Sequence, residues 1–270
     1  MVGAAPAWHG GPVPRLPPPD LLAAVPDLPP GRLVAPAGMP GAGPVLWVGE
    51  APAAPGDWAR HAGRHPVTGL WPVLLEGLDR DDLERPWLVG EFSGPADVVP
   101  VDVEAFLAGQ HAGALEGDEE HPDGPGPAWP GLSPALPAVE DPLAAAARFA
   151  DELVTRSGHH HLGLVAADRG ADVLAAIGWF GAVNSDVAPA TLSAVLRSWE
   201  DRFGVRVVAL GFDTLHVSVA APPASLPQAL PVTAEHLAFC PGEVTQLGPG
   251  GVREHAAALV GHRAWGFWWD

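Results

Sequence analysis

The sequence contains no lysine and no tyrosine, and only one cysteine, Cys240, in 270 residues. Without lysine, a phosphate-loop nucleotide hydrolase, a protein kinase and a pyridoxal-phosphate enzyme each lose an obligatory side chain. A lone thiol cannot close an internal disulfide, which fits a reducing compartment. Long apolar runs are missing as well, none approaching the roughly 20 residues of a spanning helix. The first 20 residues are interrupted by proline and lack the charged start and apolar stretch of a secretory signal. These absences point to a cytoplasmic protein with no membrane partner.

Positive charge is scarce: 14 arginines face 32 acids, for a net charge of −18. A chain of that sign repels a polyanion, so nucleic acid is not an expected partner. The acids are unevenly spread. Residues 1–85 hold 6 Arg and 9 acids, residues 86–147 no Arg and 11 acids, and residues 148–270 hold 8 Arg and 12 acids. Within the middle block, residues 112–140 (AGALEGDEEHPDGPGPAWPGLSPALPAVE) are rich in Pro, Gly and acid and read as a solvated linker, its run Asp118, Glu119 and Glu120 simply hydrated. The 33 Gly, 33 Pro and exclusive use of Arg match the codon bias of a GC-rich genome. No unit of 20 to 50 residues repeats, which excludes solenoids and propellers.

Before the linker, residues 44–50 (PVLWVGE) and 86–92 (PWLVGEF) read as strands, residues 68–78 (TGLWPVLLEGL) as a helix opened near Pro72, and residues 102–110 as a short amphipathic helix. After it, Asp141 is a natural N-cap with Pro142 in the first helical position, and Gly158 stops that helix. A strand is expected at 161–167 and a brief helix at 172–179. Leu192, Val195, Leu196, Trp199 and Phe203 share one helical face that ends at Gly204. Residues 205–220 read as two strands joined near Asp213, followed by helices around 233–240 and 252–260 and a closing strand at 264–270. On that last strand Trp265, Phe267 and Trp269 share one face, while Trp268 and Asp270 share the other. The order is that of an α+β fold with a small, mainly antiparallel sheet flanked by helices, without the regular alternation of a dinucleotide-binding fold. The division expected is an N-terminal α+β segment at 1–111, the linker at 112–140 and a C-terminal module at 141–270.

Several of these local patterns occur together: Gly178-Trp179, Trp199 with Phe203 and Gly204, Asp213-Thr214-Leu215, Phe239-Cys240-Pro241 with Gln246 downstream, and Phe267-Trp268-Trp269-Asp270. In this order and spacing, residues 160–270 resemble the bacterial domain-of-unknown-function 4253 family, and the N-terminal half is similar to its longer actinobacterial members. Gly242 departs from the pattern, which places an acid directly after Phe-Cys-Pro; Glu243 supplies one only after a shift of register. The resemblance implies a fold and an extent, and no activity.

Two chemistries compete. His236 and Cys240 stand at i and i+4 on a helix, where an imidazole can activate a thiol, as a Cys/His-dependent hydrolase or transferase requires. Glu235 points to another face and cannot orient that imidazole. A cysteine beside Phe239 and Pro241 is, however, the ordinary composition of an inert core. The other chemistry is binding: an exposed Trp268 or Trp179 near Asp213, Gln246 and Asp270 makes an aromatic-walled site with a few polar groups. His159, His160 and His161 lack a further ligand at a recognised zinc spacing and read as a solvated helix-to-strand junction. Asp57, His61 and His65 share a helical face weakened by Gly63 and Pro66, while His255 and His262 bracket a helix end. The glycines at 38, 41 and 43 and at 248, 250 and 251 form turns and no complete dinucleotide fingerprint. The expectation is a non-catalytic module binding a protein or small molecule at Trp179, Asp213, Gln246, Trp268 and Asp270, with no cofactor and no metal.

Overall fold

The computed structural model describes residues 25, 27–79, 82–98, 100–116, 128–240 and 251–269, excluding the side chains of 113–116. The fold is α+β. Its strands are β1 (Gly31–Val34), β2 (Leu46–Pro52), β3 (Leu70–Leu75), β4 (His161–Ala166), β5 (Arg206–Leu210), β6 (Thr214–Ser218) and β7 (Ala264–Trp268). They form one seven-stranded sheet in the order β1-β2-β4-β3-β5-β6-β7, antiparallel throughout except for the parallel pair β3–β5. The helices are α1 (Asp57–Thr68), α2 (Val103–Glu116), α3 (Pro142–Ser157), α4 (Val173–Ile177), α5 (Pro189–Phe203), α6 (Leu226–Phe239) and α7 (Gly251–Leu259). None among the described residues is long and apolar enough to cross a membrane.

The sheet crosses the expected boundary between N-terminal segment and C-terminal module. β4 lies between β2 and β3, and β3 separates β4 from β5, so strands from both sides of the linker share one core. Helices α1 and α3 pack together on one face, over β3, β5 and β6; α4, α5 and α6 fill the other, with α2 and α7 packed on α6.

Residues 68–78, expected as a helix, instead contribute β3. Every residue of Leu70–Leu75 is buried, as a central strand covered on both faces requires, and the unbroken apolar run concealed its period. Pro72 is tolerated because β5 pairs only with Leu74 and Leu75, leaving no ladder bond on that side for Pro72 to miss. Trp71 bridges the gap by donating its indole N–H to the Val207 carbonyl at 3.0 Å. The expected strand at 86–92 is likewise absent: Glu84–Leu88 form a wide helical turn, and Phe92 makes only an isolated bridge to Trp179.

The later elements follow their local signals. The Asp141 carboxylate caps α3 by accepting from the Ala144 N–H, with Pro142 at its start and Gly158 (φ 70°) at its end. Trp265, Phe267 and Trp269 point inward, and Trp199 lies between Trp265 and Phe267 at ring distances of 5.5 and 5.4 Å. Helix α6 begins at Leu226, a turn and more before the expected segment.

Of the expected linker, residues 112–116 instead continue α2, and 128–140 run as an extended strap across the helices. The Leu136 N–H donates to the Arg202 carbonyl at 3.0 Å and Val139 to Ala220 at 2.8 Å, while Ser133 is buried. Asp118, Glu119 and Glu120 lie outside the described residues.

Candidate functional site

The corner joining β5 to β6 organises one end of the sheet. The Gly211 carbonyl accepts from the Trp179 indole N–H at 3.0 Å, and the Asp213 carbonyl accepts from the Trp269 N–H at 3.0 Å. Trp268, on the outer face of β7, is 37% exposed, and its indole N–H donates to the Asp213 carboxylate at 3.1 Å. Of the expected binding residues, Trp268 and Asp213 therefore meet directly. Trp179 does not present itself to a ligand: it is buried and packs edge-on against Trp269, with ring centroids 5.5 Å apart. Gln246 and Asp270 lie outside the described residues.

Beside this corner the chain makes a groove that the sequence reading missed. Gly178, with φ at 72°, lets the loop at Ser93 and Gly94 approach so closely that an added Cβ would stand 2.2 Å from the Gly94 carbonyl oxygen. The resulting cavity, ≈ 580 Å³, is lined by Met39, Arg85, Val89, Glu91, Phe92 and Phe180 among others. Arg85 donates to both Glu91 oxygens, at 2.9 and 2.7 Å, and its guanidinium carbon stands 5.1 Å from the Phe212 ring centroid. That hydrogen-bonded guanidinium holds the Glu91 carboxyl below its usual range. Phe212, the ring that Arg85 faces, directly precedes Asp213 in the chain.

The Cys240–His236 pair takes a different form from a nucleophile and its base. Cys240 is 0% exposed and its thiol donates to the Trp268 carbonyl at 3.1 Å, so the sulphur is enclosed where the catalytic alternative requires it open. His236 turns Nδ1 to Nε2 of His255, 3.1 Å away, and its own Nε2 meets no partner among the described residues. Burial, and then His255, push His236 well below its ordinary value, so the ring is neutral at pH 7. His255 lies within α7 and, with Glu254 and His262, lines a cleft of ≈ 380 Å³. Glu235, on another face as expected, accepts from Trp199 and Arg202.

Asp57, His61 and His65 on α1 do not converge on a common point. Asp57 accepts from the Ala54 N–H and Arg60, His61 is buried, and His65 lies 2.7 Å from the Ala167 carbonyl.

At the start of β4 the outcome is different. His161 turns away to the Gly49 carbonyl, 2.9 Å distant. His159 and His160 stack at 4.9 Å and face Glu76, directly after β3. The antiparallel pairing of Leu75 with His161 brings that carboxylate to the imidazoles. Burial is the main cause lowering His160, to about 4, against the opposing pull of Glu76. Burial lowers His216 on β6 as well, again against the Glu76 charge. Sequence reasoning missed Glu76 because its strand read as a helix, hiding the register that places it.

No curated protein and no solved structure matches the chain. Residues 161–270, the C-terminal part of the chain and nearly the extent that its corner, Phe-Cys-Pro and Trp-Trp motifs suggested, match the family model described as Domain of unknown function (DUF4253).

Proposed function

We propose that this chain is a non-catalytic binding module of the bacterial cytoplasm, and that its ligand, a small molecule or a segment of another protein, lies in the groove beside Arg85 and extends toward Trp268 and Asp213. The observation that supports this most is the gathering of Met39, Val89 and Phe180, 44, 39 and 42% exposed, around one groove whose Arg85 faces Phe212, the residue before Asp213. Exposed apolar groups gain about 25 cal/mol per Å² when covered, and ≈ 580 Å³ is an ordinary volume for an organic ligand. Arg85 and Glu91 add charges of both signs at the wall, which gives orientation to what binds. The enclosed Cys240 favours binding over covalent catalysis, the charge of −18 disfavours nucleic acid, and the single thiol favours a reducing compartment.

The test is a fluorescence titration of the full chain with the apolar dye anilinonaphthalene sulfonate and with short peptides ending in an aromatic residue, repeated on Phe180→Asp and Trp268→Ala. The expected result is saturable binding that both variants weaken at least fivefold without lowering the melting temperature. Absence of saturable binding, or binding indifferent to both variants, overturns the reading.

A further inference from the structure

The hydrogen bonds behind the His159 and His160 rings fix which nitrogens face forward as bases. The Ser157 hydroxyl gives its one hydrogen to the Leu153 carbonyl at 2.9 Å, so toward His160 Nδ1, 2.6 Å away, it can only accept. His160 therefore carries its hydrogen on Nδ1, and Nε2 of the neutral ring holds a lone pair. The Ser157 carbonyl, also an acceptor, stands 3.1 Å from His159 Nδ1 and makes that nitrogen a donor too. Both Nε2 atoms look toward Glu76, with His159 Nε2 3.1 Å from Oε1 and His160 Nε2 4.0 Å from Oε2.

One nitrogen from each ring and a carboxylate oxygen thus converge, all within 4.8 Å of one another. A cation at their centre meets all three ligand atoms at once, which a proton shared between one imidazole and the carboxylate does not. Ligand atoms bonded at about 2.1 Å to one tetrahedral ion lie about 3.4 Å apart, a spacing the cluster reaches by a small closure. The serine carbonyl and the anchored hydroxyl behind the rings are the outer partners that metal-binding imidazoles use to fix tautomer and orientation.

We propose that His159, His160 and Glu76 bind one divalent transition-metal ion through the two Nε2 atoms and the carboxylate. Two imidazoles and one carboxylate select an ion of the zinc, iron or cobalt kind over magnesium or calcium, which prefer oxygen throughout. Glu76 precedes the strap and the two histidines follow it, so the ion joins the end of β3 to the residues just before β4, where the family match begins. The site shares no residue with the groove and stands apart from the binding reading.

The full, untagged chain is stripped with a chelator and titrated with zinc chloride by calorimetry and with cobalt chloride by visible absorption. The expected result is one ion per chain, at least tenfold weaker in both Glu76→Gln and His159→Ala and unchanged in His262→Ala. Long-range proton–nitrogen spectra of the wild-type rings, which need no variant to fold, are expected to show zinc shifting Nε2 of His159 and His160. Lack of stoichiometric binding, wild-type rings at these two positions that zinc leaves unmoved, or folded Glu76→Gln and His159→Ala chains that bind as tightly as wild type each overturn the proposal.

Discussion

Glu235 and Arg202 form a forked ion pair inside the helical layer, with Arg202 Nη1 and Nη2 at 2.7 and 2.6 Å from the two carboxylate oxygens and the Glu235 side chain fully buried. The same carboxylate accepts from the Trp199 indole at 2.7 Å and from the Ser133 N–H at 2.7 Å. One acid on α6 thus holds α5 and the strap together. Removing a single partner strands a charge in the core, so Arg202→Ala is expected to cost about 3–5 kcal/mol. Urea unfolding followed by tryptophan fluorescence measures this, and a loss under about 1 kcal/mol contradicts it.

A second expectation concerns the expected C-terminal module in isolation. Expressed as residues 141–270, the chain keeps β4 but loses both of its neighbours, β2 and β3. That fragment is expected to aggregate or to give a collapsed, poorly dispersed proton–nitrogen spectrum. A well-dispersed monomeric spectrum refutes the expectation.

Acid weakens the fold through its neutral histidines. Burial is the leading cause that lowers His61, His111, His236 and His255. The unfolded chain binds protons at these positions below about pH 6.5 while the native chain does not. Their stabilisation is therefore complete above that pH and declines as pH falls toward the native values. Melting temperature is expected to drop steadily from pH 7 to pH 5, with a shallower slope in His236→Gln; a flat profile speaks against this account.

Cys240 offers a simple chemical check. As the only thiol in the sequence and a fully buried one, it is expected to resist an aromatic disulfide reagent in the native protein and to react once urea unfolds the chain. Rapid native labelling returns the catalytic alternative to consideration.

Gly178→Ala tests the groove wall. The new methyl meets the Gly94 carbonyl and the backbone leaves its comfortable region, so stability is expected to fall by more than about 2 kcal/mol, with loss of dye binding. Binding and melting temperature unchanged from wild type mean that the loop can yield.

The parts of this fold that could be read in advance are those whose cause is local. Asp141, Pro142, Gly158 and Gly204 mark helix ends by capping chemistry, and the alternation of Trp265, Phe267 and Trp269 with Trp268 gave the inner and outer faces of β7. β3 escaped because an apolar run buried on both faces has no period, and Pro72 within it reads equally as the opening of a helix. The candidate sites divide in the same way. Trp268 and Asp213 lie near the same corner and were legible, whereas Glu76 reaches His159 only through a strand register across more than eighty residues. The Met39–Phe180 groove depends on loops that carry no periodic signal at all.

Because β4 fits between β2 and β3, the order of synthesis differs from the order in space. A nascent chain that has emerged as far as the strap holds β2 and β3 without the strand that joins them, and each must wait with an open edge until residue 166 leaves the ribosome. Stalling or truncation within that interval leaves the facing edges of both strands unpaired, the arrangement that invites pairing with another chain.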